Sequence, residues 1–94
     1  MKKLPEEALF QSRTPDFDQD TVPEGILGQH KTAENTWGKI VVTEGELTYR
    51  ILEPNVEEHK LDIDHEGIVA PAVAHQVQIN GPVKFHVEFF RVAA

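Results

Sequence analysis

The chain contains no cysteine, which removes disulfides and thiolate metal ligands; any metal must be held by His, Asp or Glu. No apolar run approaches the length that spans a bilayer, so no membrane partner is expected. No segment carries apolar residues at helical spacing over two turns, and less than about a tenth of the chain is expected in α-helix. There is no glycine-rich phosphate loop. No serine stands near a histidine and an acid in a nucleophile arrangement. Basic patches are also missing. Nine Lys and Arg against sixteen Asp and Glu leave a net charge of -7, which disfavours nucleic acid as a partner. The start, "MKKLPEEALF", has two lysines but no apolar stretch behind them. Pro5, Glu6 and Glu7 argue against a signal peptide, so the cytoplasm is the expected compartment.

What is present is a series of short alternating runs separated by Pro, Gly, Asn and Asp, in a chain of 94 residues. That length suits one domain with one modest core, residues 1–94. The pattern predicts an all-β fold of about eight short strands, a double-sheet jelly roll. In "GKIVVTEGELTYRIL" a two-residue turn at Glu44-Gly45 pairs Val42 with Leu47 and Ile40 with Tyr49, giving one apolar face. Lys39, Thr43, Glu46, Thr48 and Arg50 fall on the wet face, and Gly45 supplies the positive φ of the turn. "EPNVEE" reads as a loop, "HKLDID" and "IVAP" as short strands with a turn at "HEG" between them. "ALFQSR" and "GILGQHKT" are further strand candidates, joined by the Pro- and Asp-rich "TPDFDQDTVPEG".

The stretch "PAVAHQVQINGPVKFHVEFFR" raises the chemical question. His75 shares a strand face with Val77 and Ile79 and is expected to point inward, with Gln76, Gln78 and Asn80 opposite. A loop from Asn80 to Val83 spares Pro82 a ladder position and sets His75 across from Glu88 and Val77 across from His86. Two readings follow. In one, His75 and Glu88 are a buried hydrogen-bonded pair. In the other, two imidazoles and a carboxylate hold Fe, Mn, Zn or Ni with positions left open. Phe85, Val87 and Phe89 make both faces of this strand bulky. One face then needs cover from the N-terminal segment or a second subunit, and a homodimer is expected.

"GQHKTAENTWGKIVVTEGELTYRILEP", with "PAVAHQV" and "VKFHVEFFR", resembles the TehB/YeaR-like domain, a small cupin-type domain found alone or ahead of a methyltransferase domain. The resemblance runs from "SRTPDF" to "EFFR". It implies a cupin-type barrel enclosing a divalent metal, with His75 at the histidine of the second cupin motif and Gly45 at the glycine closing the first. That first motif usually brings two histidines and a glutamate; here only His30 remains, and the glutamate position falls near Gly38. His30, His75, Glu88 and His86 are the candidate ligands on this basis. A small molecule or small anion is the implied partner, and tellurite resistance is the label carried by multi-domain relatives. Arg13 is a candidate for binding an anion at the barrel mouth, or else a salt-bridge partner for the many acids. Trp37 is a rim or core aromatic, or else a substrate platform. His59 and His65 lie between acids in loop-like surroundings and read as surface residues. The competing function is a non-catalytic module for dimerisation or ligand sensing, with a structural His-Glu cluster.

Overall fold

The computed structural model describes residues 1–93. Six strands and one helical turn follow in order: β1 (Leu9–Arg13), β2 (Phe17–Asp18), α1 (Glu24–Leu27), β3 (Thr36–Ile51), β4 (Glu57–Leu61), β5 (Gly67–Val69) and β6 (His75–Arg91). All strand pairs are antiparallel, in the order β1-β6-β3-β4, with β2 on β6 and β5 on β3. An all-β fold with almost no helix is therefore present.

The expected hairpins at Glu44-Gly45 and Asn80–Val83 do not form. β3 and β6 are single strands of 16 and 17 residues, paired with each other from Thr36↔Arg91 to Ile51↔His75. The turn signals mark irregularities instead. β3 shifts register between Val42 and Glu44 and again between Gly45 and Leu47. Gly45 has φ 72°, and a Cβ there would collide with the Pro82 carbonyl. Gly45 pairs with Val83, and Leu47 pairs next with Ile79, so Pro82, which has no N–H to give, sits in the gap in the ladder. The glycine of one strand and the proline of the other thus meet at one bend. The bend is unavoidable. Seventeen extended residues span roughly 55 Å, whereas the longest dimension of the molecule is 38 Å. Residues from both ends of β6, His75 and Val77 and then Val87 and Phe89, line one internal void.

Two further expectations are corrected. "GILGQHKT" is not a strand: α1 takes its first part, after Pro23, and Ile26 packs on the core. The strands number six among the described residues, because two long ones replace four short ones.

The core is one cluster containing Ile40, Val42, Leu47, Tyr49, Ile51, Val77, Val83 and Phe85. Ile40, Val42, Leu47 and Tyr49 share the dry face as expected, although register shifts rather than a turn put them there. The Tyr49 hydroxyl donates to the Ile68 carbonyl at 2.9 Å, so its one polar atom is satisfied inside.

Candidate functional site

Just after α1 the chain crosses the first residue of β6. His30 N–H donates to the His75 carbonyl and His75 N–H to the His30 carbonyl, each at 3.0 Å. This reciprocal pair sets the two imidazoles together, ring centroids 4.0 Å apart at 63°. Each ring is pinned in the same way. His30 Nδ1 donates to the Gly28 carbonyl at 3.0 Å and His75 Nδ1 to the Val73 carbonyl at 2.9 Å. With Nδ1–H so engaged, a neutral imidazole carries its lone pair on Nε2. His75 is 3% exposed. Burial pushes its pKa below the ordinary value, and His30 adds to this, while the Val73 carbonyl works the other way. The His75 imidazole is therefore neutral, the form that binds metal.

Both histidines line a void of about 30 Å³, walled otherwise by Ile26, Ile40, Val69, Val77 and Phe89 among others. It has room for one ion or a water or two. The Tyr49 ring stands 6.0 Å from that of His75. A larger cavity, about 290 Å³, lies beyond Tyr49, Ile51 and Val73, with Glu53 and Glu57 at its edge.

His86 and Glu88 are elsewhere. They alternate with Val87 and Phe89, which face the void, so they lie on the opposite face of β6. Glu88 is registered against Lys39 of β3 and Arg13 of β1, not against His75, whose partner is Ile51. The expected His75–Glu88 neighbours are thus separated, because β6 runs on where a turn was expected. Glu88 does orient an imidazole, but that of His86, whose Nε2 is 2.8 Å from Glu88 Oε2. His86 Nδ1 faces Asp16 at 3.6 Å and is buried without a hydrogen-bond partner. The N-terminal segment runs beside β6, where Thr14 exchanges hydrogen bonds with the backbone of Val87, and it brings Asp16 onto this face at His86.

The four histidine and glutamate candidates therefore form two pairs. Among the described residues no three of His, Asp and Glu stand together as a metal-holding group. What the inner pair offers a metal is two imidazoles, each with its Nδ1–H fixed on a backbone carbonyl. Arg13 is bound to Asp16 at 2.6 Å, the salt bridge that the sequence offered as an alternative. Trp37 is half-buried beside Phe90, on the face of β3 away from Gly38 and the void. His65 is exposed beside Asp62, and His59 is half-buried against Glu57. Sequence reasoning missed Asp16 and Glu53. Each acts through a contact between segments remote in the chain, and no spacing rule announces such a contact.

The sequence pattern of the TehB-like domain matches residues 12–87, most of the chain. The chain belongs to the TehB-like family. Among solved structures, TehB from Haemophilus influenzae superposes with a TM-score of 0.82 at 25% identity, over 92% of this chain and 32% of that one. This TehB-like chain thus spans about a third of that relative's length. A protein of Escherichia coli strain K12 superposes over the whole of both chains, TM-score 0.87, and at 16% identity shows the fold alone. No protein of curated function matches the chain.

Proposed function

We propose that this TehB-like domain is a cupin-type metal-binding domain in which His30 and His75 hold one divalent ion, Zn, Fe, Mn or Ni. The ion acts on or senses a small molecule or small anion, of which an oxyanion such as tellurite is one candidate. The observation that carries the reading is the matched pinning of two adjacent imidazoles, each by its Nδ1 on a backbone carbonyl, at the wall of a common void. A bound cation would supply Lewis acidity and open coordination positions. The protein's own residues hold His75 neutral by burial, fix each Nδ1–H on a carbonyl, and set a largely apolar wall beside the pair that strengthens any charge interaction made there. Membership of a family named for tellurite resistance supports the small-anion side of the reading.

Metal analysis of the protein purified without added metal is the test, run with His75→Ala and His30→Ala alongside. About one equivalent in the wild type and none in either variant supports the proposal. No metal in the wild type after reconstitution would leave the two histidines as a structural tether between the segment at 28–32 and β6, the non-catalytic alternative.

A further inference from the structure

On the face of β6 away from the void, His86 is 7% exposed, and its two ring nitrogens meet different carboxylates. Nε2 is 2.8 Å from Glu88 Oε2, two residues along the same strand. Nδ1 is 3.6 Å from Asp16 Oδ1, which belongs to the link between β1 and β2. At that distance Nδ1 is buried without a hydrogen-bond partner.

The charge form of the ring decides whether this arrangement is favourable. A neutral imidazole has one N–H. With that N–H on Glu88, the Nδ1 lone pair is turned toward the Asp16 carboxylate, and two acceptors face each other. An imidazolium has a hydrogen on both nitrogens, so each carboxylate gains a donor. The remaining charged groups around the ring modify the balance. Arg13 of β1 holds the same Asp16 oxygen at 2.6 Å and competes for it. Lys39 of β3 is registered against Glu88. Lys84, two residues before His86 on β6, is paired with Glu44 at 3.6 Å. Val41, the cross-strand partner of His86 on β3, brings no charge.

Asp16 sits between two anchors of the same segment. On one side the Thr14 N–H donates to the Val87 carbonyl at 2.9 Å, and the Val87 N–H donates to Thr14 Oγ1 at 3.0 Å. On the other side Phe17 packs edge-on against Phe85, ring centroids 5.7 Å apart.

We propose that His86 is a proton-operated latch for the segment 14–17. Charged, it bridges Asp16 and Glu88 and fastens that segment to β6. Neutral, it leaves Nδ1 unpartnered, and the segment is held without it. The latch tightens as pH falls through the ordinary histidine range and loosens as pH rises, while both carboxylates stay ionised. It does not depend on the metal reading above.

Amide hydrogen exchange at Thr14 and Val87 reads this junction directly. Protection is measured at about pH 5.5 and about pH 7.5, on either side of the ordinary histidine value. Wild type, His86→Gln and Asp16→Asn are compared, and nitrogen NMR shifts of the ring identify the charge form of His86 at each pH. In the wild type, protection should be about fivefold or more higher at the lower pH, the margin of a charge-assisted hydrogen bond over a neutral one. The ring should be an imidazolium there. His86→Gln, which does not titrate, should show no such rise. Asp16→Asn, at an exposed position, should fold and should lose most of the rise. A tie with no proton-dependent part would instead lower protection in Asp16→Asn equally at both pH values. Equal protection at the two pH values in the wild type overturns the latch. So does a rise that survives in Asp16→Asn, whether or not His86→Gln folds, and so does a ring that stays neutral at the lower pH.

Discussion

Tyr49 is the chain's single tyrosine, and it is 1% exposed with its hydroxyl on the Ile68 carbonyl. Burial pushes its pKa well above the ordinary value of 10, and the charge of Glu57 pushes the same way. In the unfolded chain the phenol ionises around pH 10, whereas in the fold it keeps its proton. Above that pH the native state holds a proton that the unfolded state has released. The stabilisation is complete below pH 10 and is lost as pH rises further. Because there is one tyrosine, tyrosinate absorbance reports this group alone. The absorbance should appear near pH 10 in denaturant but only at clearly higher pH, together with unfolding, in the native protein. A native titration curve coincident with the denatured one would show that the ring is open to water. Tyr49→Phe should lose this part of the alkaline instability, and about 1 kcal/mol of stability at neutral pH with the hydrogen bond. The neighbouring His75 was legible as an inward residue, since alternation with Val77 decides its face whatever the turn does. That His30 would face it was not legible from the residues, because the Gly28 break hides the phase of the approaching segment.

The elements show why a correct face can come from an incorrect connection. Gly45 and the Gly81-Pro82 step are ordinary hairpin signals, yet the structure uses them at a shared bend of two long strands. A positive φ and a missing N–H are required equally by turns and by breaks in a ladder, so local chemistry cannot choose between them. The choice depends on pairing over some 40 residues, which periodicity does not encode. Hence the dry faces of β3 and β6 could be read from the sequence, while the register that separates Glu88 from His75 could not. The bend itself gives a clean contrast. Gly45 is left-handed and abuts Pro82, whereas a Cβ at Gly81 meets nothing within 4 Å. Gly45→Ala should cost about 1–3 kcal/mol in urea unfolding, and Gly81→Ala should change stability by about 0.5 kcal/mol or less. In a hairpin with its turn at 80–83 the ranking would favour a large effect at Gly81 as well, so comparable losses at the two sites would speak against the continuous β6.

At the scale of the whole molecule, β1 is the outer strand of the sheet, and Leu9 and Phe10 on it are 72% and 59% exposed. Cover by the N-terminal segment, one of the two alternatives read from the sequence, is realised over His86, but that segment then presents its own open edge. We expect a second copy to meet this edge. Sedimentation should give a dimer at micromolar concentration, and Phe10→Lys should shift it to monomer; a wild type that sediments as a monomer throughout that range removes the expectation. The metal proposal has a consequence on the same scale. An ion held by His30 and His75 joins the 28–32 segment to β6, a geometry that exists only in the folded chain, so its binding free energy adds to folding stability. At a free concentration a hundredfold above Kd the gain is about 2.7 kcal/mol. For a domain of this size each kcal/mol moves the melting temperature by about 4–8 °C. Saturating Zn²⁺ should therefore raise Tm by roughly 10–20 °C in the wild type, and EDTA should reverse it. His75→Ala should melt at one temperature with metal, without metal and with EDTA. A rise that survives in His75→Ala would place the ion on some other group, and the absence of any rise in the wild type would mean that the paired imidazoles hold the chain together without holding a metal.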